Sequence, residues 1–82
     1  MQDLNGNVTV IFSGVPDTAK VVEVVRAQCP FQIVKVHEQR NLVAIVFSGF
    51  ESDDPDGYFT AFANYFGGPE VVVRVADGNI FA

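Results

Sequence analysis

FQIVKVHEQRNLVAIVFS, residues 31–48, is the stretch on which the fold turns. Phe31 to His37 and Leu42 to Ser48 are rich in β-branched and aromatic side chains, which pack well on a pleated surface. Between them stands only the polar Glu38-Gln39-Arg40-Asn41, a connection of hairpin length, so the two runs form an antiparallel pair. Toward the N-terminus, Val8-Thr9-Val10-Ile11-Phe12 reads as another strand, bounded by the turn residues Asn5-Gly6-Asn7 and by Ser13-Gly14-Val15-Pro16. Asp17 then stands where a carboxylate can cap a helix. Along that helix Val21, Val22, Val25 and Cys29 share one side, with Lys20, Glu23 and Arg26 opposite, until Pro30 stops it.

Toward the C-terminus, Asp54 at the cap, Pro55 behind it and Asp56 in the first turn start a second helix. It runs to Phe66 and ends at Gly67-Gly68, with Phe59, Phe62, Ala63 and Phe66 on its core face. Tyr58 and Tyr65 flank that face. Glu70 to Val75 is the last main strand, and Asp77-Gly78 turns into a short tail with Ile80 and Phe81. The order strand, helix, strand, strand, helix, strand predicts an α+β, ferredoxin-like two-layer sandwich. In this βαββαβ arrangement both helices cover one face of an antiparallel four-stranded sheet. One domain fills residues 1–82, with its core over about 8–76 and the turn and tail at 77–82.

Composition agrees. Eighty-two residues leave no room for a second core. With 49% hydrophobic and 18% charged residues, the chain is too apolar to be disordered. No apolar run approaches the roughly 20 residues a bilayer span needs. Met1-Gln2-Asp3-Leu4 is acidic and polar where a secretory leader is basic, so the expected location is the cytoplasm. One cysteine, Cys29, and one histidine, His37, make neither an internal disulfide nor a zinc site, and no metal or cofactor is expected. The net charge of −5 argues against bulk attraction to phosphate. Four acids, Glu51, Asp53, Asp54 and Asp56, form a solvated block; the spacing and closing glutamate of a calcium loop are missing.

Strand residues alternate between faces, so the open face of such a sheet can be read out. Val10, Phe12, Val34, Val36, Val43, Ile45, Phe47, Val71, Val73 and Val75 are assigned inward. Outward then come Thr9, Ile11, Ile33, Lys35, His37, Leu42, Ala44, Val46, Val72 and Arg74. A solvated face carries Thr, Lys, Glu or Gln; this one has an apolar centre edged by Lys35, His37 and Arg74, which marks an interaction site. The alternatives are that the central strands are buried on both faces, or that Ile80-Phe81 folds back across the sheet. The candidate partner-binding residues are Ile11, Ile33, Lys35, His37, Leu42, Ala44, Val46, Val72 and Arg74.

Catalysis needs a nucleophile or base with an orienting partner. His37 has only Glu38 beside it, on the opposite face of a strand. Cys29 falls on the apolar side of a helix, and Ser13 and Ser48 lack a Gly-x-Ser-x-Gly setting. The chain is read as no enzyme, with no catalytic residue.

Residues 8–76 resemble the RNA-recognition-motif family. Val10-Ile11-Phe12-Ser13-Gly14-Val15 lies where that family's six-residue signature falls. Arg40-Asn41-Leu42-Val43-Ala44-Ile45-Val46-Phe47 lies over its eight-residue signature, basic at the start and aromatic at the end. The resemblance implies RNA-stacking aromatics at Ile11, Leu42 and Ala44, and none of the three is aromatic. Base–aromatic stacking contributes about 1–3 kcal/mol per base, so the resemblance bears on fold more than on RNA binding. The strand and helix order is also similar to ACT-type ligand-sensing domains, although Pro16-Asp17-Thr18 lacks their loop glycine. In size and charge the chain resembles phage-encoded inhibitors of host machinery. The reading that results is a protein-binding module, an inhibitor or adaptor, using the sheet face for a protein partner or for self-association as a homodimer. Alternatives are a degenerate single-stranded nucleic-acid binder and a small-ligand sensor near Ser13–Thr18.

Overall fold

The computed structural model describes residues 7–49, 54–66 and 70–81, with the backbone only at Pro55 and Phe66. The elements run β1 (Val8–Ser13), α1 (Thr18–Gln28), β2 (Gln32–Gln39), β3 (Leu42–Ser48), α2 (Pro55–Thr60), α3 (Ala63–Phe66) and β4 (Val72–Asp77). The four strands form one antiparallel sheet in the order β2-β3-β1-β4. The chain is an α+β domain with its helices packed on one sheet face.

Local chemistry accounts for the boundaries. The Asp17 carboxylate accepts from the backbone N–H groups of Ala19 (3.1 Å) and Lys20 (3.4 Å), so two amides without intrahelical partners start α1 satisfied. Asp54 caps α2 in the same way, accepting from Gly57 N–H at 3.1 Å with Pro55 behind it. Arg40-Asn41 alone closes the β2–β3 hairpin, and Asn41 takes the left-handed conformation (φ 60°) that asparagine tolerates better than most residues.

The inner face is closed by side-chain volume. Val8, Val10 and Phe12 from β1 and Val43, Ile45 and Phe47 from β3 meet Val21 and Val25 of α1 and Phe59, Phe62 and Ala63 of the second helical segment. Phe59 stacks on Phe47 (centroids 5.2 Å apart) and on Phe62 (6.1 Å), while Tyr58 meets Phe59 edge-on at 5.0 Å. Fully burying an aromatic ring of this kind contributes about 2–3 kcal/mol, so this cluster carries much of the stability.

Three expectations need correction. The second helix does not run unbroken to Phe66. Phe62 N–H donates to the Phe59 carbonyl three residues back, tightening the turn at Ala61-Phe62 and separating α2 from α3. The last strand begins at Val72 rather than Glu70. In β2, a bulge between Ile33 and Lys35 inserts Val34 as an extra residue. Ile33 therefore pairs with Phe47 and packs on the core, while Val34 is exposed, the reverse of the simple alternation.

Candidate functional site

Register places the outward side chains in rows across the sheet. Lys35, Val46, Thr9 and Ala76 form one row; His37, Ala44, Ile11 and Arg74 the next; Gln39, Leu42, Ser13 and Val72 the third. Of the nine candidate residues, eight lie in these rows, and Ile33 leaves the set because the bulge turns it inward. The rows contain no carboxylate side chain, although the whole chain has ten acids against five bases. Lys35, His37 and Arg74 thus give a basic rim to the outward face of an acidic protein, and Arg40 is exposed in the turn at one end of it.

The face is not uniformly open. After Gly78, at φ +75°, the tail turns back over the first row. Gly78 N–H donates to the Asn7 carbonyl at 2.9 Å. Thr9 Oγ1 donates to the Gly78 carbonyl at 2.7 Å and accepts from Ile80 N–H at 3.3 Å. The Phe81 ring reaches the far edge, 5.6 Å from the His37 ring and 5.2 Å from Lys35 Nζ, within cation–π range. Thr9, at 0% exposure, is completely buried, and Ala44 and Val46 are buried with it. These last two are corrected as candidate surface residues: they point outward, but they have no open surface to offer. What remains accessible is Ile11, Leu42 and Val72 (52% exposed) with His37 and Arg74, bordered by the tail's own Ile80 and Phe81. Sequence reading found Ile80-Phe81 as a possible cover but not Thr9 as its anchor, because the anchoring bonds join residues about seventy positions apart.

The helix side carries different chemistry. A shallow groove of about 310 Å³ lies between the end of α1 and the α2–α3 segment, lined by Gln28, Tyr58, Ala61, Phe62 and Tyr65. Burial pushes the Cys29 thiol above its ordinary pKa, with hydrogen bonds from the Phe31 backbone and the Tyr58 hydroxyl pulling the other way. Tyr58 is raised by its own burial first and then by the Cys29 charge and hydrogen bond. A thiol held toward its neutral form is a packing group rather than an activated nucleophile. Cys29 packs with the core while His37 faces outward, so the sheet separates the two residues that a thiol–imidazole pair would need.

Asp54 of the acidic block serves as a helix cap; Glu51 and Asp53 lie outside the described residues. Among the described residues no three His, Cys, Asp or Glu side chains come together as a metal site, and no helix is long and apolar enough to cross a membrane. Comparison with protein-family models, with curated proteins and with solved structures finds no match.

Proposed function

We propose that the chain is a non-enzymatic binding module that presents the uncovered part of its outward sheet face to a protein. The observation that carries this reading is an apolar centre of Ile11, Leu42 and Val72 inside a basic rim of His37 and Arg74. The half-exposed Val72 and the partly exposed Ile11 and Leu42 in adjacent rows leave apolar area in water, and a partner with an apolar surface and acidic surroundings would cover it. The partner is another protein or a second copy of the chain. Inhibition of an enzyme by covering its surface is one form this binding takes.

The fold reading that accompanies this is the ferredoxin-like βαββαβ sandwich. Its support is the element order, with α2 and α3 together as the second helix, and a sheet with β1 and β3 at the centre. The nucleic-acid alternative is weaker: of the three positions where stacking rings would fall, Ala44 is buried and Ile11 and Leu42 are aliphatic. A ligand sensor near Ser13–Thr18 is weaker too, because the Asp17 carboxylate is engaged in capping α1.

Leu42→Asp tests the proposal, since Leu42 is an outward residue at the end of β3. ANS, an anionic aromatic dye, is the probe, and light scattering at low and high protein concentration reports self-association. Wild type is expected to enhance ANS fluorescence, or to self-associate, and Leu42→Asp to lose that signal with its circular dichroism unchanged. A wild type that neither binds ANS nor self-associates overturns the reading, as does a folded Leu42→Asp that behaves like wild type.

A further inference from the structure

Half of the outward face already has an occupant, and its sequence is known. Residues 78–81 lie along the row Ala76, Thr9, Val46, Lys35, starting from edge strand β4 and ending at edge strand β2. The manner of binding is specific. Thr9 Oγ1 uses both of its hydrogen-bonding capacities on one short stretch of backbone, donating to the carbonyl of Gly78 and accepting from the N–H of Ile80. Asn79 Oδ1 accepts from Phe81 N–H at 2.9 Å, folding the strap so that the ring comes down on Lys35 and His37.

The strap buries the sheet without burying itself. Thr9, which bonds the strap, is completely buried, as are Val46 in the same row and Ala44 in the next, while Ile80 is 51% exposed and Phe81 38% exposed. It is held by a few neutral hydrogen bonds and by the contacts of the Phe81 ring with Lys35 and His37, each of them weak. Gly78, at φ +75°, makes the turn from which the segment starts across the sheet. Its direct continuity with β4 makes these contacts intramolecular.

We propose that this strap is an internal stand-in for part of the partner. The covered half of the face recognises an extended peptide segment with one aromatic side chain, and that segment displaces residues 78–81 and repeats their contacts with Thr9, Lys35 and His37. The proposal rests on the protein-binding reading above and adds to it the kind of segment that is bound. A carbonyl and an N–H two residues apart, both met by one hydroxyl, form a peptide pattern rather than a nucleotide one. The absence of carboxylate side chains from the described rows, against the cations Lys35 and Arg74, favours acidic residues beside the aromatic anchor.

The test uses the full chain and an acetylated synthetic peptide with the sequence of residues 77–82, followed by amide chemical shifts. The Phe81→Ala chain keeps its fold, since the ring is partly exposed, but loses the strap's anchor. It should bind the peptide with shifts at Thr9, Lys35, His37, Ala44 and Val46. Wild type, its face occupied, should bind about ten-fold more weakly. A peptide with alanine in place of phenylalanine should not bind. A second measurement needs no variant: saturating peptide should accelerate hydrogen exchange at the wild-type Ile80 amide as the strap leaves Thr9.

Equal affinity of wild type and Phe81→Ala, shifts elsewhere on the molecule, or an Ile80 amide unmoved by bound peptide each overturn the proposal. A single-stranded oligonucleotide that shifts the same amides at lower concentration also overturns it, by assigning the face to nucleic acid. ANS binding that Leu42→Asp abolishes reports the uncovered half. Loss of peptide binding with that signal intact therefore removes the strap proposal and leaves the binding module standing.

Discussion

From β1, Val8, Val10 and Phe12 go to one face of the sheet and Thr9, Ile11 and Ser13 to the other, yet the two faces are closed by different means. Helices close the inner face with large apolar side chains that interlock, Phe59 on Phe47 and Val21 and Val25 on the strand valines. The outer face is closed only in part, along one of its three rows, by a short strap whose backbone bonds Thr9 and whose Phe81 ring meets Lys35 and His37. Side-chain packing is hard to undo because every displaced methylene leaves a void. The strap's hydrogen bonds, by contrast, are of a kind that water can replace. One sheet thus carries a seal of interlocked side chains on one face and, on the other, a lighter one, proposed above to be removable, beside the accessible Ile11, Leu42 and Val72.

The largest effect is expected where the inner seal is weakened. Phe59→Ala removes a fully buried ring that stacks on both Phe47 and Phe62. The expected loss is about 3–5 kcal/mol in urea unfolding. Against a typical total of about 5–15 kcal/mol, this brings a domain of 82 residues close to its limit. A midpoint near that of wild type means that the inner face is not the source of stability, and the distinction between the faces falls.

Most of the inner face was legible in the sequence, because the unbroken apolar run Val43-Ala44-Ile45-Val46-Phe47 marks a central strand and the helical spacing of Phe59, Phe62 and Ala63 marks a buried helix face. The outer face was legible as a pattern but not as a surface. Nothing local to Thr9 says that its hydroxyl will meet residues 78 and 80, and a β-branched residue at an outward position reads as solvated. Ile33-Val34-Lys35-Val36 fits either register on its apolar residues, so the bulge is decided by pairing with Phe47 and Val46 rather than by the strand itself. The break at Ala61-Phe62 has no glycine or proline to announce it. At the break Phe62 N–H bonds the Phe59 carbonyl, and Phe62 and Ala63 are both buried in the core.

A smaller effect is expected where the inner layer is fastened rather than filled. Asp17→Ala leaves the N–H groups of Ala19 and Lys20 without their carboxylate at an exposed helix start, where water substitutes in part. Stability should fall by about 1 kcal/mol in the same urea titration, with the outward face unaffected in ANS binding. A parallel loss of ANS binding would show that the helix layer and the outward face are coupled, and the comparison would then have to treat them as one unit.

The smallest change in global stability, and the most telling one, is expected from Thr9→Val. The substitution keeps volume and β-branching and removes only the hydroxyl that holds Gly78 and Ile80. An unlatched strap passes its bonds to water, so urea unfolding should shift by less than about 1 kcal/mol. Locally the outcome is opposite in scale: the Ile80 amide should lose its exchange protection, and ANS binding should rise as Ala44, Val46 and the new valine come into reach. If unfolding instead shifts as far as it does for Phe59→Ala, the strap is a structural member of the fold and both faces are permanently sealed. If neither exchange nor ANS binding changes, Phe81 on Lys35 and His37 holds the strap without Thr9, and the aromatic anchor alone sets what this half of the face selects.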